Sequence, residues 1–265
     1  MTALISASTA IPAVLRVIEG LPACIAGSSV VAALDPATDL NYDDVDVFCH
    51  TPHALIAAVE RFLHKGFHLA DRSQRVWARW LKYGFKGWHT NSIKLQQSAG
   101  IEVNLVYKMT EGHPATSLAQ VIESFDFGLL AVGYEGETGQ FRDARSYLFP
   151  GLDPAGPLPM MPNKRDNWRN GFISQYNGLR EVGRLVKYHD YGYDMSLVID
   201  DLQHGYFAAA DYFLQRDDDE SKMLLGRIYE SIGQHIDSRD WDRLREAGRE
   251  ILFLDDLDQI MEHLE

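Results

Sequence analysis

The sequence predicts an α+β protein: a mixed sheet with flanking helices over residues 1–150, followed by an α-helical domain over residues 151–265. Three observations carry this. Short apolar runs of strand length alternate with segments of helical period through the first half of the chain. A proline- and glycine-rich stretch, FPGLDPAGPLPMMPNK (149–164), reads as a linker. From Asn167 onward the helical period dominates and no convincing strand interrupts it.

Element by element, IPAVLRVIEG (11–20) is a short amphipathic helix closed by Gly20, and LPACIAG (21–27) is a buried strand stopped by a glycine. VVAAL (30–34) is a small-residue helix with a serine available as its N-cap. DPATDLNYDD (35–44) is a loop rich in Asx residues, and VDVFCH (45–50) is a second strand. Thr51-Pro52 places an N-cap and an N1 proline ahead of a helix that ends near Gly66. The aromatic stretch 76–92, with Trp77, Trp80, Tyr83, Phe85 and Trp88, fits no single period; it could stack a base or pack a hairpin against a helix. SIKLQQ (92–97) and IEVNLVYK (101–108), joined by Ser98-Ala99-Gly100, read as a hairpin. SLAQVIESF (117–125) is helical, and a second hairpin turns at Gly136-Glu137-Thr138-Gly139.

Composition narrows the function classes. At 46% apolar and 24% charged residues the chain is globular, and no apolar run reaches the ~18–20 residues of a membrane span. The N-terminal residues lack the basic region of a secretory signal. The two cysteines, Cys24 and Cys49, lie in apolar runs, so a reducing, cytoplasmic compartment is expected. Net charge is −13, from 25 Lys plus Arg against 38 Asp plus Glu, which disfavours a general surface for long duplex nucleic acid. A local basic site remains open.

The chemistry concentrates in CIAGSSVVAALDPATDLNYDDVDVF (24–48). Alternation along the strand projects Asp44 and Asp46 to one face, with Val45 and Val47 buried behind them. Two carboxylates so placed repel, and a hard divalent cation relieves them. Gly27 lets a phosphate approach the backbone, and the N–H groups of the following helix turn, beginning at Ser28, can hold it. Alone, a Gly-Ser before a helix is an ordinary turn and an Asp-x-Asp is a solvated strand edge. Their order and strand context together point to a phosphate seat beside a metal seat.

With its hydrophobic strand, Gly27-Ser28, short helix and Asp44-Val45-Asp46-Val47, the segment resembles the polymerase-beta-like nucleotidyltransferase superfamily, although the loop from Ser28 to Asp44 is longer than usual. VIESFDFGLLAVGYEGE (121–137) resembles an uncharacterised, often viral or phage-like branch of that fold. The resemblance implies transfer of a nucleotide from a triphosphate such as ATP to a hydroxyl acceptor, with Mg²⁺ or Mn²⁺ as cofactor and pyrophosphate released. It implies that Asp44 and Asp46 hold the metals and that Gly27 and Ser28 seat the phosphates. The resemblance places a third carboxylate at Glu102, which would hold the catalytic metal and help deprotonate the acceptor; Asn104 shares its strand face, and Asp126 is a rival. The acceptor is left open between an RNA end, a protein side chain, a small molecule and a second nucleotide. A catalytically silent module of the same fold, binding a nucleotide or a protein partner, is the competing reading.

In NGLREVGRLVKYHDYGYD (177–194), Arg180, Arg184 and Lys187 recur at helical spacing opposite Leu179, Val182 and Val186. That stripe either grips the outer phosphates across a cleft closed by the helical domain or is a solvated face paired with acidic neighbours. Lys164, Arg165 and Arg169 form a weaker basic cluster.

Overall fold

The structure, a computed structural model, describes residues 6–34, 40–83, 91–98, 100–110, 112–165, 176–216, 218–219, 221–223 and 242. The chain divides into two compact units, Met1–Gly151 and Leu152–Glu265.

The first unit is a seven-stranded mixed sheet with helices packed against it, the α+β architecture expected. Helix α1 (Ala7–Ile18) leads into β1 (Ala23–Ala26), α2 (Ser28–Leu34), β2 (Val45–Cys49) and α3 (Pro52–His64). Then come β3 (His68–Leu69), α4 (Asp71–Tyr83), β4 (Asn91–Gln96) and β5 (Glu102–Tyr107). A small ribbon pairs β6 (Met109–Thr110) with β7 (His113–Pro114) before α5 (Leu118–Glu123), and β8 (Val132–Glu135) and β9 (Phe141–Asp143) close the sheet. Strand order is β3-β4-β5-β2-β1-β8-β9, with β2 and β5 parallel and every other pair antiparallel.

Local chemistry fixes the ends. Thr51 Oγ1 accepts the Ala54 N–H at 3.0 Å, so Thr51 caps α3 with Pro52 at its first position. Ser117 does the same for α5, accepting from Gln120 at 3.3 Å. Alternate residues of the central strands, Val45, Val47, Val103 and Leu105, are fully buried. Helices α1 and α3 pack on β2, and α3 also packs on β5. The stretch 76–92 is the largest departure from expectation: its first part lies in helix α4, against β4, and 84–90 falls outside the described residues.

In the second unit, the helices Tyr176–Asp190 and Ser196–Arg216 bury Val182, Leu185, Val198 and Leu202. The stretch 149–164 is not a free linker. Leu158, Met160 and Met161 are buried, and Asp201 accepts the Met160 N–H at 3.0 Å. Among the described residues no helix is long and apolar enough to cross a membrane.

Candidate functional site

Gly27 joins β1 to α2 at φ +101°, a conformation that side chains of L-residues rarely adopt. A Cβ at this position would stand 3.3 Å from Asp46 Oδ2. Glycine is therefore favoured twice, by the turn and by the approach of the carboxylate, which a Cβ would push back by a few tenths of an ångström. The close approach is also the structural link between the two sequence motifs, because it sets the Gly27-Ser28 turn directly against Asp46. The Val30 and Val31 N–H groups donate to the Gly27 carbonyl at 3.1 and 3.3 Å, so these two donors are taken from the phosphate seat that the sequence leads one to expect. Ser28 is buried, and Ser29 is fully buried with an Oγ that has no hydrogen-bond partner.

Across the parallel β2–β5 pair, Asp46 lies opposite Asn104, whose Nδ2 donates to Asp46 Oδ1 at 3.0 Å. One rung earlier stand Asp44, just ahead of β2, and Glu102, the first residue of β5. Between them sits a residue that the sequence reading did not single out. Lys94 Nζ lies 2.8 Å from Asp44 Oδ2 and 3.8 Å from Glu102 Oε2. Its strand position, opposite Asn104 in the β4–β5 ladder, turns it to the same face. Burial works to lower the ammonium's pKa, but the charge and hydrogen bond of Asp44, with Glu102 and Asp43, outweigh it and raise the pKa above the usual lysine value. The expected repulsion between carboxylates is thus already answered by a cation of the chain itself.

Among the described residues, no group of three His, Cys, Asp or Glu side chains is placed to hold a metal ion. Neither Glu102 nor Asp126 completes such a group with Asp44 and Asp46. Glu102 is engaged by Lys94, and Asp126 lies in the bend after α5, where its neighbour Phe125 packs edge-on against Phe48 at 5.7 Å. What remains is a two-carboxylate seat of hard oxygen donors. That donor set fits Mg²⁺ or Mn²⁺ in the manner usual for triphosphate sites, where one or two carboxylates bind and phosphate oxygens and water complete the shell.

The remaining candidates separate clearly. Arg184 and Lys187 are half-buried on the helix Tyr176–Asp190, with Lys187 Nζ 5.4 Å above the Tyr191 ring, while the side chain of Arg180 lies outside the described residues. Arg165 belongs to an ion pair, its Nε 3.0 Å from Asp201 Oδ1, and Arg169 lies outside the described residues. Burial pushes the Cys49 thiol up to about 12 and raises that of Cys24 as well, so both are core residues rather than nucleophiles.

No family model matches the chain, and no curated protein matches it. Among solved structures, it is similar to one described as a tRNA-processing enzyme (apo form I), with a TM-score of 0.46 at 11% identity over 90% of this chain and 58% of that one. It is also similar to the Thermotoga maritima CCA-adding enzyme complexed with tRNA_CCA, with a TM-score of 0.43 at 11% identity over 88% of this chain and 50% of that one. The chain thus spans between half and three-fifths of the length of these proteins. Neither comparison bears on a viral or phage-like branch.

Proposed function

We propose that this chain is a metal-dependent nucleotidyltransferase, moving a nucleoside monophosphate from a triphosphate to a hydroxyl acceptor. The observation that carries the reading is the packing of the Gly27 turn against Asp46, on the strand face that also bears Asp44. In the reaction the acceptor oxygen bonds to the α-phosphorus, the bond to the β-bridging oxygen breaks, and pyrophosphate leaves with the electron pair. Gly27 and Ser28 seat the phosphates, and Asp44 and Asp46 hold Mg²⁺ or Mn²⁺. When bound, the cation neutralises charge on the phosphates. Glu102 takes the acceptor's proton, and Asn104 orients Asp46. Arg180, Arg184 and Lys187 are proposed for the outer phosphates.

A second reading has its own support. Lys94 stands between Asp44 and Glu102, and the residue opposite Asp46 on β5 is the amide Asn104 rather than a carboxylate, which suits a catalytically silent module that binds a nucleotide or a protein without a metal. The two readings part in one experiment. The protein is incubated with each labelled triphosphate, Mg²⁺ or Mn²⁺, and an RNA end, a protein or a small hydroxyl compound as acceptor. Transfer of label establishes the enzyme. No transfer, with a melting shift caused by triphosphate alone, establishes the silent module.

A further inference from the structure

Helix α4, DRSQRVWARWLKY, carries four cations against a single carboxylate in a chain whose net charge is −13. Arg72, Arg75, Arg79 and Lys82 recur at i, i+3, i+7 and i+10, a spacing that gathers them into one stripe along the helix. All four are exposed. The opposite side faces the protein: Ser73 is buried, and Val76, Trp77 and Trp80 are half-buried, the two indoles in edge contact at 6.4 Å. Trp77 and Trp80 therefore lie on the inward side, and the outward signal is charge.

The position of the stripe gives it meaning. Strand β3 covers β4 at Leu95 and Gln96; at Lys94 the start of α4 takes over the sheet edge. Ser73 Oγ accepts the Lys94 N–H at 2.8 Å, and the Ala70 N–H donates to the Lys94 carbonyl at 3.0 Å. The same Lys94 reaches Asp44 with its ammonium. The basic helix is thus anchored on the strand residue that touches the candidate site.

A linear row of cations about 15 Å long, at 1.5 Å per residue, matches an extended polyanion better than a single small anion. A lipid surface calls for a broad apolar face turned outward; on α4 Val76, Trp77 and Trp80 are half-buried, and Leu81 is the exposed large apolar side chain among the described residues. We propose that the outer face of α4 binds the phosphodiester backbone of a single-stranded nucleic acid, whose terminal hydroxyl is the acceptor. The identity of the acceptor rests on the nucleotidyl-transfer reading; the binding surface itself does not.

The test uses the full chain and a short labelled single-stranded RNA, without triphosphate or divalent cation, followed by fluorescence anisotropy across a salt series. Affinity falls linearly with salt on logarithmic axes, and Arg75→Ala with Arg79→Ala reduces the slope by roughly 1.4, about 0.7 for each phosphate no longer neutralised. Arg75→Lys with Arg79→Lys keeps the slope, and so does Arg142→Ala, an exposed cation on β9. The surface is overturned if wild type shows no salt-dependent binding or if the alanine pair leaves the slope unchanged. It is also overturned if an acidic polypeptide or anionic vesicles bind α4 more tightly than the RNA. Melting with Mg²⁺ and triphosphate together separates this from the parent reading. RNA binding through α4 with no melting shift sinks the transferase and keeps the surface; the reverse result sinks the surface alone.

Discussion

Strand β2 and the residues flanking it, Asp44 and His50, carry Asp44, Asp46, Phe48 and His50 at alternate positions, yet the two ends treat polar groups in opposite ways. At the leading end, Asp44 and Asp46 are half-buried and answered by Lys94 from β4 and Asn104 from β5. At the trailing end, Phe48 packs on Phe125, and His50 is buried with Nδ1 bonded to the Ala115 carbonyl at 3.1 Å and Nε2 without a partner. Burial there lowers the His50 pKa, against smaller opposing effects from the Ala115 bond and from Glu135 and Glu137, and so favours the neutral ring. The first end holds charge by pairing it with groups that a ligand could replace. The second suppresses charge by excluding water. Two short segments of one strand thus separate an exchangeable polar site from a fixed one.

The largest expected effect breaks the exchangeable end. Asp44→Asn with Asp46→Asn should abolish transfer, together with the melting shift given by Mg²⁺ and triphosphate together. That shift is roughly 5–10 °C in wild type for ligand near 100 times its dissociation constant. The sequence alone leads one to expect that the ligand-free double variant is no less stable, because it removes repulsion. The structure predicts a small loss instead, since Lys94 loses its 2.8 Å partner. Differential scanning calorimetry without ligand decides between the two.

Next in size is Gly27→Ala, which forces a side chain into φ +101° and within 3.3 Å of Asp46 Oδ2. A loss of about 1–3 kcal/mol by urea unfolding is expected, with a weaker response to metal and triphosphate. Gly20→Ala is the control, at φ +71° with nothing within 4 Å of its added Cβ. An equal loss at both positions, with ligand response unchanged, would show that Gly27 serves only the turn.

The fixed end is read through pH. His50 has a folded pKa below its ordinary value of 6.5, so the unfolded chain takes up a proton that the folded chain resists. Its contribution is fully present above pH 6.5 and is lost as pH falls from there through the lowered folded value. His50→Gln should flatten the slope of stability against pH in that window while leaving the leading end's ligand response intact. An unchanged slope would mean that His50 is not the group responsible.

Much of this contrast was legible in the residues. The strand at 45–50, the Gly27-Ser28 turn and the shared face of Asp44 and Asp46 follow from alternation and turn chemistry, which are local. Lys94 was not, because its meaning depends on register between strands. The signal was present in the hairpin: pairing about Ser98-Ala99-Gly100 sets Lys94 opposite Asn104 and Gln96 opposite Glu102. Helix α4 was hidden for another reason. Its buried side is Ser73, Val76, Trp77 and Trp80, too polar and too aromatic to read as an apolar stripe, and the regular feature is the arginine spacing on the outside.

The smallest expected effect is the sharpest test of exchangeability. Lys94→Met keeps an unbranched side chain of similar length and removes the charge between Asp44 and Glu102. Lys94 is 42% exposed and Asp44 14%, so the pair is partly screened and its loss should lower ligand-free stability by only about 0.5–1 kcal/mol. The same change frees both carboxylates and removes a like charge facing an incoming cation. Mn²⁺, followed by electron paramagnetic resonance in the absence of nucleotide, should therefore bind several-fold tighter to Lys94→Met than to wild type. Lys94→Arg, which keeps the charge, should bind it as weakly as wild type. Weaker Mn²⁺ binding in Lys94→Met would instead make Lys94 a strut that positions the carboxylates for the metal, and the leading end of β2 would then be as fixed as the trailing one.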